Sequence, residues 1–402
     1  MRQHDEAYNK NKMRLISFVA FLMGFAQAIL LYVMSSYFKE AAGLENIGPF
    51  YLVSYAVTLI IFFNLHKVIR KIGKSNAFLF SLFFKIISIV VMMHWAPSLL
   101  TIVAMMFYII LGNLEWLSLD IIIESFSTDA MSGRIRGKNL MIMNAGLLLG
   151  PFVSTSVLEK FDFNGVFLVL FIFNSLIFMV SLLGLRHINH KFEGNLTARG
   201  LLRKVIKRKN ILRAYYVSFA LEFFYALMII YTPIYLRDLG MSWEQIGYVF
   251  TVMLLPFIFV QYPMGVLADK RYGEKEFIIF SLVIMAVSTL AIFFISSTDV
   301  ILWSTVLFAT RIGAALIEVL RDSYFFKRID AHDVDIIDFF RTAQSVAYIC
   351  AAIVSVIVLL FFSAKAIFFI IAVVVFSALI PAMKLQDNKC EREMEIELRE
   401  AA

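Results

Sequence analysis

Charged side chains interrupt long apolar stretches of this chain at Lys85, Glu115, Asp120, Glu222, Arg311 and Glu318. An ionisable group near the centre of a bilayer costs about 2.5–3.5 kcal/mol on insertion scales, so each such residue is a candidate site. A carboxyl held among apolar groups can load and release a proton near neutrality. Glu222 and Glu115 are the first candidates for that role, and Asp120 is the third. The six histidines (His4, His66, His94, His187, His190 and His332) fall in loops or at segment ends, so carboxylates must carry any coupled proton. Tyr225 lies one turn from Glu222, and Glu318 lies two turns beyond Arg311 on the same helical face. Arg311 has two readings: a contact to solute, or a permanent ion pair with one of the acids. Lys85 has no evident partner in the sequence.

The elements that carry these groups follow from composition. Of 402 residues, 61% are hydrophobic and 17% charged. An ordinary soluble domain has roughly 45–50% and about 25%. Mean hydropathy is +0.81, and Phe occurs 41 times. A soluble domain cannot hide that much apolar surface, and a disordered chain is excluded by the same figures. Twelve apolar segments can be drawn, at approximately 14–36, 47–65, 75–96, 98–126, 139–159, 163–185, 211–236, 243–264, 276–297, 299–326, 335–361 and 363–385. Lipid offers backbone groups no partner, so each is expected to be a helix.

Lys and Arg alternate sides as this assignment requires. Only Lys39, Lys160, Arg237 and Lys365 fall in one set of loops, and Lys85, Arg311 and Arg341 fall within segments. The rest lie in the two termini and the alternate loops or, for Arg14, Arg213, Arg321 and Lys384, toward the segment ends that adjoin them. That bias predicts a multi-pass protein of the cytoplasmic (inner) membrane with both termini cytoplasmic. It also accounts for the net charge of +7 without nucleic acid. The polar start, residues 1–13, argues against a cleavable signal peptide. Two cysteines, Cys350 and Cys390, make no disulfide scaffold, and no Cys/His spacing suits a metal.

The longest loop divides the chain into residues 1–185, a basic linker 186–210, residues 211–386 and a tail 387–402. The linker end, Leu201 to Lys209, reads either as a surface helix on anionic lipid or as a solvated linker. The halves echo one another. Asp120 to Phe126 and Glu318 to Tyr324 both read acid, three residues, acid, Ser, aromatic, offset by 198. Gly73 and Gly273 close corresponding loops, offset by 200. These matches suggest duplicated halves, a parallel repeat of the kind transporters use.

Gly265-Val266-Leu267-Ala268-Asp269-Lys270-Arg271-Tyr272-Gly273 resembles the G-x-L-a-D-r-x-G loop of the major facilitator superfamily. Gly146-Leu147-Leu148-Leu149-Gly150-Pro151 is similar to the G-x-x-x-G-P motif of that family's antiporters, and Arg136-Gly137 also fits. Ile69 stands in the first half where Asp269 stands in the second, and Phe152 to Thr155 replace the glycines that follow the antiporter motif. The resemblance implies an all-α membrane protein of twelve transmembrane helices in two pseudo-symmetric six-helix bundles. It implies secondary transport by alternating access, with no enzyme activity and no cofactor. It places segments one, four, seven and ten around a central cavity, which would gather Gln27, Tyr32, Glu115, Asp120, Glu222, Tyr225, Arg311 and Glu318.

The loop charges suggest a cytoplasmic gate. Asp269 would dock on the start of segment five, near Arg134 and Arg136. The basic loop of Lys67, Arg70, Lys71 and Lys74 would dock on Asp333, Asp335 and Asp338, with Arg341 bonding helix ends nearby. The alternative is ordinary topology charge with acids at helix starts. Tyr231, Tyr235, Trp243 and Trp303 fit interfacial anchors. Gly146 and Gly150 would let two helices approach closely.

The expected function is movement of a small solute, coupled to protons, by a monomer in the bilayer. Acidic excess in the cavity and the partial motif favour efflux or antiport of amphipathic or cationic compounds. Symport of an organic anion or sugar is the alternative, with Arg311 holding a carboxylate. A non-transporting sensor or scaffold would instead neutralise its buried charges in fixed pairs. No G-x-x-x-x-G-K-[ST] element supports an ATP-driven pump.

Overall fold

A computed structural model describes residues 10–44, 46–124, 132–185, 207–268, 273–329 and 334–386; within these, 10, 63–68, 70, 120, 124, 132–140, 262, 266, 334–335 and 337–338 are described by backbone alone. The described residues form helices and connections, with no strand. Among the described residues, ten helices are long and apolar enough to cross a membrane, and Gly48–Phe62 is a shorter apolar helix. Contacts divide the chain into two compact units, Met1–Gly194 with Ser242–Gly247, and Asn195–Met241 with Tyr248–Ala402.

The first unit contains α1 (Lys10–Leu31), α2 (Met34–Ala42), α3 (Gly48–Ile72), α4 (Lys74–His94), α5 (Leu99–Glu124) and α6 (Ser132–Gly184). Where the sequence suggests one segment at 14–36, the helix breaks at Tyr32 and Val33. Conversely, α6 runs through two expected segments and is interrupted at Asp162, with φ 53° and ψ −165°. Ile16, Val19 and Met23 of α1 form a core with Phe78 and Leu82 of α4, Leu119 and Ile122 of α5, and Ile177 of α6.

Backbones in this unit come close where side chains vanish. A Cβ on Gly146 would lie 2.3 Å from the Phe21 carbonyl oxygen, and one on Gly150 would lie 2.1 Å from the Ala28 Cβ. Gly24, on the facing helix, would meet the Met143 carbonyl oxygen at 2.3 Å. Small residues thus let α1 and α6 pack backbone to backbone. Within α6, the Pro151 carbonyl accepts from the hydroxyls of Ser154 and Thr155, at 3.1 and 2.8 Å.

The second unit contains α7 (Lys209–Asp238), most of α8 (Trp243–Leu254), α9 (Pro256–Phe259), α10 (Gln261–Leu267), α11 (Lys275–Phe294), α12 (Val300–Phe326), α13 (Val334–Phe361), α14 (Ala366–Ser377) and α15 (Leu379–Met383). Asp299 starts α12 by accepting from the backbone N–H groups of Ile301 and Leu302, at 2.8 and 3.4 Å. Pro256 takes the first turn of α9, where its missing N–H costs nothing. A Cβ on Gly313 would lie 2.6 Å from the Ser281 carbonyl oxygen, so α11 and α12 also approach closely.

Three of the four expected aromatic anchors, Tyr231, Tyr235 and Trp303, turn inward. Trp303 is 0% exposed, and Tyr231 and Tyr235 are also buried. The Trp303 indole N–H donates to the Ser297 carbonyl at 2.7 Å, and the Tyr235 hydroxyl donates to that of Ile295 at 2.9 Å. With their polar tips satisfied by the connection before α12, these rings pack inside the unit. The outward faces instead carry plain apolar groups, such as Phe80, Phe84 and Ile87 on α4 and Leu168, Ile172 and Leu176 on α6.

Candidate functional site

Among the described residues, charged groups are buried in both units. In the first unit, α4 and α5 are joined by a short connection and run side by side. Lys85 and Glu115 face one another, with Nζ 2.7 Å from Oε2. Their exposures are 5% and 0%. The ammonium also lies 5.0 Å from the centre of the Tyr108 ring, within cation–π range. The partner missing from the sequence reading of Lys85 is therefore Glu115. The second carboxylate oxygen, Oε1, has no hydrogen-bond partner among the described residues, nor do Tyr108 Oη and Ser118 Oγ.

In the second unit, α7 brings Ser218, Glu222 and Tyr225 together with Glu318, Arg321 and Asp322 of α12. Glu222 Oε1 lies 2.9 Å from Arg321 Nη2. Arg321 Nη1 donates to Ser218 Oγ at 2.7 Å, and Nε lies 3.5 Å from Asp322 Oδ1. Glu318, one turn before Asp322, has different company. Its Oε2 accepts from the Gln261 amide at 2.9 Å and from the Tyr225 hydroxyl at 3.4 Å. Glu318 makes no ion pair among the described residues, although Arg321 exerts a field on it.

Arg311 stands nearer the start of α12. Its guanidinium carbon lies 4.9 Å from the Phe224 ring centre and 5.7 Å from that of Tyr225. It is 2% exposed, and Nη1 has no hydrogen-bond partner among the described residues. The permanent ion pair considered for Arg311 is absent among those residues. Tyr225 therefore presents its ring to Arg311 and its hydroxyl to Glu318.

A further buried acid lies at the start of α11. Glu274 is fully buried, pairs with Lys327 at 2.5 Å and accepts from Ser323 at 2.7 Å. Just before it, Gly273 has φ 75°, and its counterpart Gly73 has φ 86°, both in the region that favours glycine.

The remaining sequence candidates are placed as follows. Gln27 is partly buried on α1, and Tyr32 is buried in the break after it. The side chains of Asp120, Arg134, Arg136 and Asp338 lie outside the described residues, as do Asp269 and Arg271 entirely. The gate contacts expected of them lie outside as well. Arg341 is partly buried on α13. Gly265 lies in α10, where an added Cβ would touch Val319 at 3.4 Å. Sequence reasoning passed over Gln261, Ser218 and Glu274. Gln261 carried a usable signal, a polar residue within an apolar run between Pro256 and Pro263. No group of three or more His, Cys, Asp or Glu suited to a metal occurs among the described residues.

Apolar helices with lipophilic outward faces and charge turned inward define a multi-pass α-helical membrane protein. The family model for the Major Facilitator Superfamily matches residues 116–333, more than half the chain. The protein belongs to the major facilitator superfamily, and so is a secondary transporter of a small solute. No curated protein matches the chain.

Proposed function

We propose that the protein couples solute movement to protons, with Glu318 as the carboxyl that loads and releases the proton. The observation that carries this reading is the chemistry of its partners. Gln261 offers an amide and Tyr225 a hydroxyl, and each can donate or accept. Such partners serve both the ionised and the neutral acid. A guanidinium or ammonium serves only the ionised form, which is the situation of Glu222 and Glu115. Those two were the first expected proton carriers; the ion pairs favour Glu318 over them. The same pairs remove much of the acidic excess that had favoured efflux of cationic compounds.

We further propose twelve crossings, with both termini cytoplasmic in the inner membrane. The interruption at Asp162 supports two crossings within α6, and Gly48–Phe62 supports another. The alternation of Lys and Arg supports the orientation. Alternating access by a monomer is the mechanism this reading adopts from the family.

The test is purified full-length protein in vesicles containing a pH dye, under an imposed proton gradient, with organic acids, lipophilic cations and sugars supplied in turn. A solute-dependent pH change that drops at least about tenfold in Glu318→Gln supports the reading, and its sign separates symport from antiport. Undiminished proton movement in Glu318→Gln would sink it.

A further inference from the structure

Among the described residues of the second unit, Arg311 is a buried cation whose charge no carboxylate meets. Phe224 and Tyr225 cover a face of the group, and ring faces stabilise a cation without occupying its N–H donors. Nη1 is buried with no hydrogen-bond partner among the described residues. A fully desolvated N–H of a charged group is costly unless something accepts from it.

We propose that Arg311 binds the carboxylate of a small organic monoanion, with Phe224 and Tyr225 as the apolar wall beside it; this names the solute class of the transport reading above and rests on it. The planar guanidinium fork matches a carboxylate's two oxygens. A neutral sugar would leave the charge unmet, and a cation would be repelled. A phosphate dianion would call for a second free cation, but Arg321 already serves Glu222 and Asp322. Tyr225 connects the two roles, since its ring lies beside Arg311 and its hydroxyl reaches Glu318. An anion at Arg311 and an ionised Glu318 would add negative charge on both sides of one ring. Carboxylate and proton are therefore taken up together, and the cotransport is symport.

Thermal unfolding of the full-length protein in detergent tests the site at fixed pH, without transport. Benzoate is the probe; benzyl alcohol, benzylammonium and inorganic phosphate share its ring or its charge alone. Benzoate should raise the unfolding midpoint with concentration, and the other three should not. Arg311→Lys should weaken benzoate binding about tenfold by losing the fork, and Arg311→Gln should abolish the shift. The proposal is overturned by any one of three results: an equal response to benzyl alcohol or benzylammonium, a response to phosphate alone, or undiminished benzoate binding in Arg311→Gln. The wild-type comparison among the four probes stands even if a variant fails to fold. Benzoate binding without any benzoate-driven proton movement would keep the anion site and reject the coupling. Proton movement driven by a sugar or cation, with no benzoate binding, would do the reverse.

Discussion

In the first unit, Lys85 and Glu115 close on each other at 2.7 Å and leave no net charge behind. In the second, Glu222 and Arg321 close at 2.9 Å, but Glu318 and Arg311 stand outside that pair. The first arrangement is that of a clamp. Two helices are tied by opposite charges, and nothing further is needed for neutrality. The second leaves one acid held by neutral groups and one cation held by rings. Buried charge is costly in both units. Lys85 and Glu115 offset that cost by pairing with each other, whereas on the proposed reading a proton and an anion would complete the balance at Glu318 and Arg311.

The largest expected effect breaks the clamp. Glu115→Gln or Lys85→Met leaves an uncompensated buried charge, at a cost of about 3–5 kcal/mol. The double variant Lys85→Met with Glu115→Gln removes both charges and should recover most of that loss, as judged by unfolding in detergent. If the double variant is as unstable as either single one, then the pair is more than a clamp, and the contrast between the units weakens.

What was legible in the sequence follows the same division. The apolar segments could be read because hydropathy needs only local composition, and Gly73 and Gly273 because a positive φ calls for a particular residue type. Breaks in helices were less visible. Tyr32–Val33 and Asp162 carry no glycine or proline at the break itself. The candidate acids were found because charge within an apolar run is conspicuous, but their partners were not. Lys85 and Glu115 are 30 residues apart, and Glu222 and Arg321 are 99 apart. Such pairings depend on which helix faces meet, which periodicity alone does not determine. Trp303 and Tyr235 misled for a related reason. A rule about membrane interfaces places such rings outward, yet nearby backbone carbonyls satisfied their polar tips and let them turn inward.

A smaller effect is expected at the pair of the second unit. Glu222→Gln removes a charge-assisted bond from Arg321, but Asp322 and Ser218 remain beside the guanidinium. The loss should be about 1.5–3 kcal/mol, below that of Glu115→Gln in the same unfolding assay. A loss equal to that of Glu115→Gln would make this pair a second clamp and erase the difference between the two regions.

The smallest expected effect on stability sharpens the comparison most. Tyr225→Phe keeps the ring beside Arg311 and deletes only a hydroxyl whose bond to Glu318 is long, at 3.4 Å. Such a bond contributes at most about 0.5–1.5 kcal/mol, and Gln261 still donates to the same carboxylate oxygen. Benzoate binding should therefore change by less than about threefold, because cation–π support needs the ring and not the hydroxyl. Proton movement per benzoate transported should fall, because the hydroxyl is the group through which Tyr225 reaches Glu318 on the proton side. The two readouts separate the roles of one residue. A Phe variant that loses benzoate affinity would place the hydroxyl on the solute, and Tyr225 would then belong to the anion site alone. A Phe variant that keeps both affinity and stoichiometry would show that Arg311 and Glu318 communicate through the field of the site, with the Tyr225 hydroxyl contributing nothing to the coupling.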